Sequence, residues 1–534
     1  MRLLLPFTCL LTTAALAAAP VCEGDSKARA SRFSASALKG LTDAQRLDRF
    51  VKACALDEVV SLASKLISFE TISEESPEAQ TAAIGSMGKF LEEWAKAHQF
   101  AFHAEPGNSV FEVLWGQGPR RLGLVAHGDV VPAPPTEWKR PPFKPVVEGG
   151  ALYGRGSEDD KGPLAATLVG LSFARELGLS PLGQVVVMIG NAEESEWAGM
   201  TAYSKKRPLP TYVVSVDGSY PVVVAQSGFV SWNLEAALGS MQPKPGAMVA
   251  VDVSAGEFLT QVPGSATLTL KGPPALESKV RAAVLALGKA RPRFSAELMT
   301  TGDKCVVTTH GKAVHSSTAE EGHNALWDLA ALAEKLPLEA NGISAMLKVV
   351  ALQFDGDHHG EKLKLAYQDP LMGKLLVSPD LLRLKDGKVQ LGVNMRRPKG
   401  MDSAAFSARL KQALEVISRQ THGKVKEGEE AYVGEPATAD TTGPLVSVLL
   451  DIYRTHQGQP DAQVTTSRGG TYARLFPGAV DFGPSFPGET YSGHAHDESI
   501  SLKNLESITE MTAQALYRLA IAPDPQRLSS GRAL

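Results

Sequence analysis

Apolar positions in the first part of the chain follow two alternating patterns. One recurs every three or four residues, which is typical of amphipathic helices, and the other forms short continuous runs, which are typical of buried strands. The patterns predict helices at 41–66, 80–98 and 162–177 and strands at 110–115, 122–126, 184–190 and 212–216. Strands that alternate with helices in this way predict an α/β fold with a mixed, largely parallel sheet between helices.

The pattern changes after Gly228. Residues 229–432 contain alternating strands and two evident helices, a texture that predicts an inserted α+β domain and is compatible with two small repeats. The strands are predicted at 266–270, 304–309 and 389–394, and the helices at 278–290 and 324–336. From Pro444 the helix and strand alternation resumes, and it ends in a helix over 502–520.

These changes predict a divided main domain. We expect its first part at 43–228, the insert at 229–432 and its second part at 433–522. The small polar residues of 20–42 predict a flexible N-terminal arm, and residues 523–534 predict a frayed tail.

Composition narrows the function classes. The chain has 534 residues, of which 43% are hydrophobic and 21% charged, and this is too apolar and too mixed for a disordered protein. The formal net charge of −4 lacks the basic excess of a nucleic-acid binder, so no nucleic-acid partner is expected. The low aromatic share of 6% also argues against a surface that stacks sugars or bases.

The N-terminus predicts a secretory signal peptide over residues 1–19. Arg2 is followed by a short apolar run, and Ala15 and Ala17 satisfy the small-x-small rule for cleavage. The run is too short for a comfortable membrane span, so the mature protein is expected to be secreted or periplasmic and free of the membrane. A lipoprotein anchor at Cys22 is a weaker alternative, because Pro20 and Val21 are not the small residues that such processing prefers.

Three cysteines remain once Cys9 leaves with the signal peptide. Cys22 and Cys54 could form a disulfide in an oxidising compartment, or all three could be buried thiols, and the sequence does not decide between these alternatives.

Side chains that bind metals stand where several predicted strands end, and open α/β sheets build their sites at that edge. They are His127, Asp129, Asp159, Asp160, Glu193, Glu194, Asp217, His494, His496 and Glu498. Any one of these motifs alone has a structural explanation, such as helix capping by adjacent acids. Two histidines and three or four carboxylates together suit a pair of Zn²⁺ ions with an open position for water, and a surplus carboxylate suggests a general base.

The order of these residues resembles the dinuclear-zinc metallopeptidases, the family of aminoacylase, carboxypeptidase G, carnosinase and succinyl-diaminopimelate desuccinylase. The chain is similar in particular to the bacterial dipeptidase branch of peptidase V type. That likeness rests on Arg468-Gly-Gly-Thr-Tyr-Ala-Arg474, Phe482-Gly-Pro-Ser-Phe-Pro-Gly488 and Asn394-Met-Arg396-Arg-Pro398. It extends from about Leu47 to Ala520, and it implies an α/β zinc-peptidase catalytic domain with an inserted α+β lid domain.

The resemblance assigns a role to each metal-site residue. Asp159 would bridge the two zinc ions, His127 and Asp217 would hold one of them, and Glu194 and His494 would hold the other. Asp129 would orient His127, and Glu193 would be the general base. Asp159 is preferred to Asp160 because the bridging residue stands two before Lys161, and His494 is preferred to His496 because it stands four before Glu498. The family also implies a cis peptide bond after Asp159.

The resemblance also assigns residues that contact the substrate. In the motif from Gly311 to Asn324, His315 would donate to the oxyanion, although Ala319 stands where the family usually has proline. Asn394 and Arg396 would bind the carboxylate of the substrate, which an arginine fork matches in geometry. Asn324, Gly470 and Thr471 are expected in the same pocket.

The resemblance therefore implies a secreted, metal-dependent dipeptidase that hydrolyses dipeptides by a zinc-bridged water with Glu193 as base. Two Zn²⁺ per chain are expected, with Co²⁺ or Mn²⁺ as substitutes, and the partner is a small peptide substrate. The alternative is an N-acyl-amino-acid deacylase or a carboxypeptidase of the same family. Many members of the family have a lid about half as long as this insert and form dimers. A lid of twice that length can fold back over its own site, so a monomer is expected. A catalytically inactive binding module is disfavoured because every expected position is filled, and a serine hydrolase because no G-x-S-x-G motif is present.

Overall fold

The computed structural model describes Cys22 and residues 25–73, 77–273 and 275–523, without the side chains of 77–81. The predicted signal peptide and all but the first residue of the predicted tail lie outside the described residues. The chain divides into two compact units. The first comprises residues 1–212, 447–461 and 483–534, and the second comprises residues 213–446 and 462–482. The predicted domains have other bounds, and those bounds stay a prediction.

The first unit contains a sheet whose strands pair both ways. Its order is Ala101–Ala104, Val110–Trp115, Gln184–Gly190 and Arg120–His127. The first two pairings are antiparallel, and the last is parallel. The mixed sheet of the predicted α/β class is therefore confirmed. Val185 to Ile189 are fully buried, which explains why this strand is a continuous apolar run.

Helices of the first unit match the apolar periodicity of the sequence. Asp43–Ile67 begins with a capping box formed by Thr42 and Gln45. It packs against Lys161–Glu176 and Leu502–Leu516, and almost every residue of Lys161–Glu176 before its last turn is buried. The remaining helices around this part of the chain are Pro77–Ala97, Ala198–Lys206 and Pro444–Gln457. Across the described residues, no helix combines the length and apolar character needed to cross a membrane.

The segment predicted as a flexible arm carries a helix instead, Ser26–Arg32. The guanidinium of Arg29 is buried and forms ion pairs with Glu58 and Glu176, which lie on two different helices. A disulfide joins Cys22 to Cys54 with a Cα–Cα distance of 5.3 Å, while Cys305 is a buried free thiol. Composition suggested an arm because the segment has few apolar residues, but its order comes from one buried cation and one covalent link.

The second unit is built around a nine-stranded sheet in which the strand pairings of the described residues are all antiparallel. Its strands are Ser295–Thr301, Lys304–His310, Ser265–Lys271, Val249–Ala255, Leu376–Lys385, Lys388–Arg397, Gly228–Ala237, Val425–Glu427 and Tyr432–Val433. The helices Leu276–Ala290, Ala325–Ala333, Gly342–Val349 and Ser403–Gln420 share one apolar core with it. This α+β architecture is the one predicted for the insert.

Short strands complete the second unit. Val223–Gln226 pairs in parallel with Thr465–Ser467 and antiparallel with Val480–Asp481 and Ala437–Thr438. Val480–Asp481 also pairs in parallel with Tyr212–Ser215. These pairings bring the segment after Ala462 next to the residues around Gln226.

Candidate metal centre and anion-binding residues

Two parallel strands of the first unit end at the same edge and place the first ligand candidates there. His127 is the last residue of Arg120–His127, and it lies opposite Gly190, the last residue of Gln184–Gly190. Carboxyl ends of parallel strands share one edge, so the loop that carries Glu193 and Glu194 starts beside His127. This register places the loop of Glu193 and Glu194 next to His127.

Asp129 connects the two strand ends through both of its oxygen-bearing groups. Its carboxylate accepts hydrogen bonds from the backbone N–H groups of Glu193 and Glu194, each at 3.0 Å. The Nδ1 atom of His127 is 3.0 Å from the backbone carbonyl of Asp129 and 3.6 Å from its carboxylate Oδ1. The sequence predicted that the carboxylate of Asp129 orients His127. In the structure the backbone carbonyl of Asp129 is at hydrogen-bond distance from the ring, and the carboxylate accepts hydrogen bonds from the Glu193 loop.

The loop before the helix Lys161–Glu176 brings two more carboxylates to this edge. His127 Nε2 lies 2.7 Å from Asp159 Oδ1, and the backbone N–H of His127 donates to Asp160 Oδ2 at 3.1 Å. The peptide bond between Asp159 and Asp160 is cis, as the family resemblance implied. Asp159 therefore faces the His127 ring, while Asp160 contacts the backbone of the strand.

His494 joins this cluster from the far end of the sequence. Its Nε2 atom is 2.9 Å from Glu194 Oε1 and 3.2 Å from Asp159 Oδ2. His496, the fallback candidate, has its Nδ1 atom 3.3 Å from Glu137 Oε2, away from these carboxylates. The geometry therefore agrees with the choice of His494.

The donor set fits a divalent metal ion. His127, Asp159 and Glu194 each offer one ligand atom, and these atoms all lie within 4.8 Å of one another. The Nδ1 atom of His127 faces a carbonyl oxygen, which can only accept a hydrogen bond, so the proton of the neutral ring is placed on Nδ1. The lone pair of the ring is then on Nε2, which faces the carboxylates. Imidazole nitrogen and carboxylate oxygen are the donors that zinc and similar ions prefer.

Burial and neighbouring groups shift the pKa values of the clustered carboxylates in opposite directions. Burial and the nearby charge of Asp159 raise the pKa of Glu194. Burial alone would favour the neutral acid at Asp159 too, but hydrogen bonds from His127 and His494 hold its pKa well below the usual range. A metal ion bound here would compete with protons for these carboxylate and imidazole groups, so binding would release protons.

Glu193 lies beside the ligand candidates, and one of its carboxylate oxygens accepts no hydrogen bond from the described residues. Among the described residues, its carboxylate Oε1 is buried and has no hydrogen-bond partner. Burial, followed by the charges of neighbouring carboxylates, raises the pKa of Glu193 well above its usual value. A buried carboxyl with a raised pKa and a free oxygen is suited to taking and returning a proton.

Tyr491 and Glu158 were missed in the sequence analysis as contributors to the site, and Glu498 was named there only as one of the candidate metal-binding side chains. Tyr491 donates its hydroxyl hydrogen to Asp159 Oδ2, and its ring passes over Gly493, where a Cβ atom would collide with it. Glu158 and Glu498 make hydrogen bonds between the Asp159 loop and the His494 loop. Their nearness in sequence to Asp159 and His494 was the one signal available.

The second unit holds the predicted anion-binding residues. Arg396 lies on the strand Lys388–Arg397, where its Nε donates to Asn394 Oδ1 at 3.1 Å and its Nη2 to Ser316 Oγ at 2.9 Å. Its guanidinium carbon lies 5.1 Å from the centre of the Phe229 ring. Burial lowers the pKa of Arg396 to about 10, which leaves it cationic at neutral pH. Asn394 Nδ2 is buried without a partner in the described residues, so a donor beside this cation is available.

His315 lies at the start of the short helical segment Ser316–Glu321, and its side chain is exposed. Its Nδ1 atom accepts the backbone N–H of Ser317 at 3.3 Å and lies 2.6 Å from Ser317 Oγ. A backbone N–H can only donate, so the proton of the neutral ring is placed on Nε2. Arg468, a residue of the dipeptidase-like motif, pairs with Glu320 at 2.5 Å and so holds this segment.

The other predicted pocket residues have structural contacts. Asn324 caps the helix Ala325–Ala333 by accepting from Leu326 N at 3.0 Å, and its Nδ2 donates to Pro379 O at 3.0 Å. Thr471 donates from Oγ1 to Asp481 Oδ1 at 2.8 Å. Gly470 allows the Arg474 side chain to approach, because a Cβ atom there would lie 2.9 Å from Arg474 Cδ. Contacts of these three residues with substrate stay predictions.

Asp217 follows the strand Tyr212–Ser215 and belongs to the second unit. The predicted ligands His127, Asp159, Glu194 and His494 are thus brought together within the first unit. The roles of Asp217, His315, Asn394 and Arg396 rest on the resemblance of the sequence and stay predictions.

Comparison with known proteins agrees with this geometry. Residues 123–518 match the sequence profile of peptidase family M20/M25/M40. The Beta-Ala-Xaa dipeptidase of Lactobacillus delbrueckii subsp. lactis is 30% identical over 469 residues, which cover 87% of this chain and 95% of that protein.

Solved structures show the same fold at low identity. Human carnosine dipeptidase 1 aligns with a TM-score of 0.55 and 14% identity, over 89% of this chain and 98% of that one. The dipeptidase Dug1p of Saccharomyces cerevisiae aligns with a TM-score of 0.54 and 14% identity, over 91% and 99%. At such identities the likeness extends to the fold.

Proposed function

The chain belongs to peptidase family M20/M25/M40, and on this premise we propose that it is an exported dipeptidase with two zinc ions. That it is a metal-dependent peptidase follows from the family and from its ligand cluster. The dipeptide substrate, the number and identity of the ions and the export are the parts that we propose. The Beta-Ala-Xaa dipeptidase supports the substrate class, since it aligns over almost its whole length.

One observation carries the proposal. Four sequence segments converge so that the His127 ring, Asp159, Glu194 and the His494 ring contact one another within the first unit. Burying several carboxylates at one point is costly unless cations or protons neutralise them. Metal binding at this point explains why the four segments meet there and why several carboxylates are buried together.

We assign the metal ligands as the resemblance implies. Asp159 would be shared by the two ions, His127 and Asp217 would hold one, and Glu194 and His494 would hold the other. Zinc is proposed because imidazole and carboxylate together suit it, and Co²⁺ or Mn²⁺ can replace it at such sites. Bound ions at this position would polarise the scissile carbonyl and lower the pKa of the attacking water.

The side chains of the chain then handle protons and charge. Glu193, with its buried unpartnered oxygen, takes the proton from the attacking water and returns it to the leaving amine. His315 presents a proton on Nε2, since its Nδ1 accepts from Ser317, and we propose that this proton is donated to the oxyanion. Arg396 and the free Nδ2 of Asn394 bind the carboxylate of the dipeptide.

Product analysis tests the substrate class. We expect mass spectrometry to show both free amino acids from a panel of dipeptides, including β-alanyl dipeptides. N-acetyl amino acids and longer peptides should be cleaved slowly or not at all. Preferred release of acetate would assign the chain to the deacylases instead. Stepwise shortening of long peptides from the C-terminus would assign it to the carboxypeptidases.

Arg396→Lys is expected to raise KM for dipeptides about ten- to hundredfold, which corresponds to the loss of a charged hydrogen bond. Lysine keeps the charge but loses the planar fork that holds Asn394 Oδ1 and Ser316 Oγ. Steady-state kinetics with dipeptides that have a free or an amidated C-terminus measure the effect. With the amidated dipeptide, variant and wild type should have the same KM. Arg383→Lys, on the adjacent strand Leu376–Lys385, is the control, because Arg383 contacts one backbone carbonyl. An unchanged KM for the dipeptide with a free C-terminus would remove Arg396 from carboxylate binding.

Export is proposed from the apolar N-terminus and the disulfide. Disulfides persist mainly in oxidising compartments, and the bond between Cys22 and Cys54 suits one. N-terminal sequencing of the protein recovered from its native host should begin between residues 18 and 20, after removal of the predicted signal peptide. A mature chain that begins at Met1 would contradict export by this route.

A monomer is proposed because the family resemblance implies that an inserted α+β domain of this length can cover its own site. Light scattering of the active enzyme should give a mass near that of one chain. A stable dimer at working concentration would contradict this.

A further inference from the structure

The loop that carries Asp159 is held by a carboxylate from the loop that carries His494. Glu498 is fully buried, and its Oε1 accepts the backbone N–H groups of Glu158 at 2.8 Å and Asp159 at 3.0 Å. Its Oε2 accepts Gly156 N at 2.9 Å and Arg155 Nη1 at 2.8 Å. Four donors of residues 155–159 thus converge on one side chain.

The reverse contact is made by Glu158. Its carboxylate Oε2 accepts the backbone N–H of Ser492 at 2.7 Å and the Ser492 hydroxyl at 2.6 Å. Ser492 stands two residues before His494. The Asp159 loop therefore holds the His494 loop through Glu158, and the His494 loop holds the Asp159 loop through Glu498.

These contacts satisfy backbone groups that regular structure leaves free. The turns just before the helix Lys161–Glu176 have no strand or helix partner, so their N–H groups need other acceptors. Carboxylate oxygens of Glu498 and Glu158 supply these acceptors. The two side chains therefore link the loops in both directions.

We propose that Glu498 and Glu158 are reciprocal positioning residues, which fix Asp159 relative to His494 and thereby set the affinity of the site for divalent metal ions. The proposal rests on the proposed function, because it takes Asp159 and His494 to be metal ligands. Neither glutamate is proposed to touch the metal or the substrate. Residues that orient metal ligands in this way typically contribute about ten- to hundredfold to metal affinity.

Isosteric variants test the proposal. Glu498→Gln replaces one acceptor oxygen with an NH₂ group, which cannot accept a hydrogen bond. The variant therefore loses either the bond from Gly156 N or the bonds from the N–H groups of Glu158 and Asp159. Glu158→Gln keeps one oxygen for Ser492 and should have the smaller effect. Glu489→Gln is the matched control, since Glu489 is exposed, lies in the same segment and bonds to the Asn504 side chain.

Two measurements on the full-length protein are needed. Zn²⁺ affinity is measured by competition with a chromogenic chelator, and hydrogen exchange of the Gly156, Glu158 and Asp159 amides is measured in the metal-free protein. Glu498→Gln should weaken Zn²⁺ binding about ten- to hundredfold and speed exchange at these amides, while Glu489→Gln leaves both unchanged.

The outcomes separate the inference from the proposed function. Unchanged Zn²⁺ affinity in a folded Glu498→Gln variant, with a loss of melting temperature alone, would overturn the inference and give Glu498 a purely structural role. Should that variant fail to fold, Glu158→Gln decides by the same measurements, with exchange read at Ser492. A wild-type protein that binds no Zn²⁺ would instead overturn the proposed function before any variant is compared.

Discussion

Glu193→Gln is expected to lower kcat for dipeptides about 10²–10⁴-fold, the usual contribution of a general base. Glutamine has nearly the same shape, but its amide cannot accept a proton from water at neutral pH. The fold should tolerate the change because Glu193 Oε1 has no partner among the described residues, and the loop is held by N–H bonds to Asp129. Zn²⁺ content, measured by atomic emission, should stay at the wild-type value.

The neighbouring Glu196 provides a matched control. It lies in the same loop, three residues after Glu193, and its side chain is exposed. Glu196→Gln should keep wild-type kcat and KM. If Glu193→Gln retained near-normal turnover with full metal content, another group would have to be the base.

Asp159→Asn is expected to abolish both metal retention and activity. Asp159 contacts the rings of His127 and His494, and the amide replaces a negative oxygen with a neutral group at the point that both ions would share. The loss in kcat/KM should be about 10³-fold or more, because polarisation by the ions contributes several kcal/mol to the transition state. Metal content and kcat/KM of the purified variant measure the two effects.

Chelation of the wild-type enzyme gives an independent measurement of the same dependence. Activity should disappear with the metal and return when Zn²⁺, Co²⁺ or Mn²⁺ is added. Metal affinity should fall as the pH is lowered, since protons on Glu194 and the His494 ring compete with the ions. Full activity after complete chelation would contradict the metallopeptidase assignment.

Periodic features of the sequence predicted the framework of the fold well. The strands at 110–115 and 184–190 have the bounds that their apolar runs indicated, and His127, Glu193 and Glu194 follow directly from where such strands end. The helices Gly342–Val349 and Ser403–Gln420 were missed, since they lie in a region where alternating strands dominated the pattern. Apolar periodicity predicts helices and strands because each of these elements buries one face.

Contacts between distant segments were beyond the reach of such patterns. The carbonyl of Asp129 faces His127 and its carboxylate faces the Glu193 loop, a choice that depends on the loop geometry. Arg29 orders the N-terminal segment through ion pairs to Glu58 and Glu176, which have no periodic signature. Hydrogen bonds between a side chain and a backbone group far away in the sequence become visible only in the folded structure.

The long sequence separation between Glu194 and His494 has a consequence for the order of events during synthesis. The two residues contact each other across 300 positions, so a growing chain presents Glu194 long before His494 has been made. Contacts of such high order form late in folding, because the intervening chain must first be closed into a loop. A nascent chain that has not reached His494 carries four of the five proposed ligands, so the site that Glu194 and His494 would share is incomplete until the C-terminal segment has docked. If the chain is exported unfolded, as proposed above, metal loading would follow its passage through the membrane.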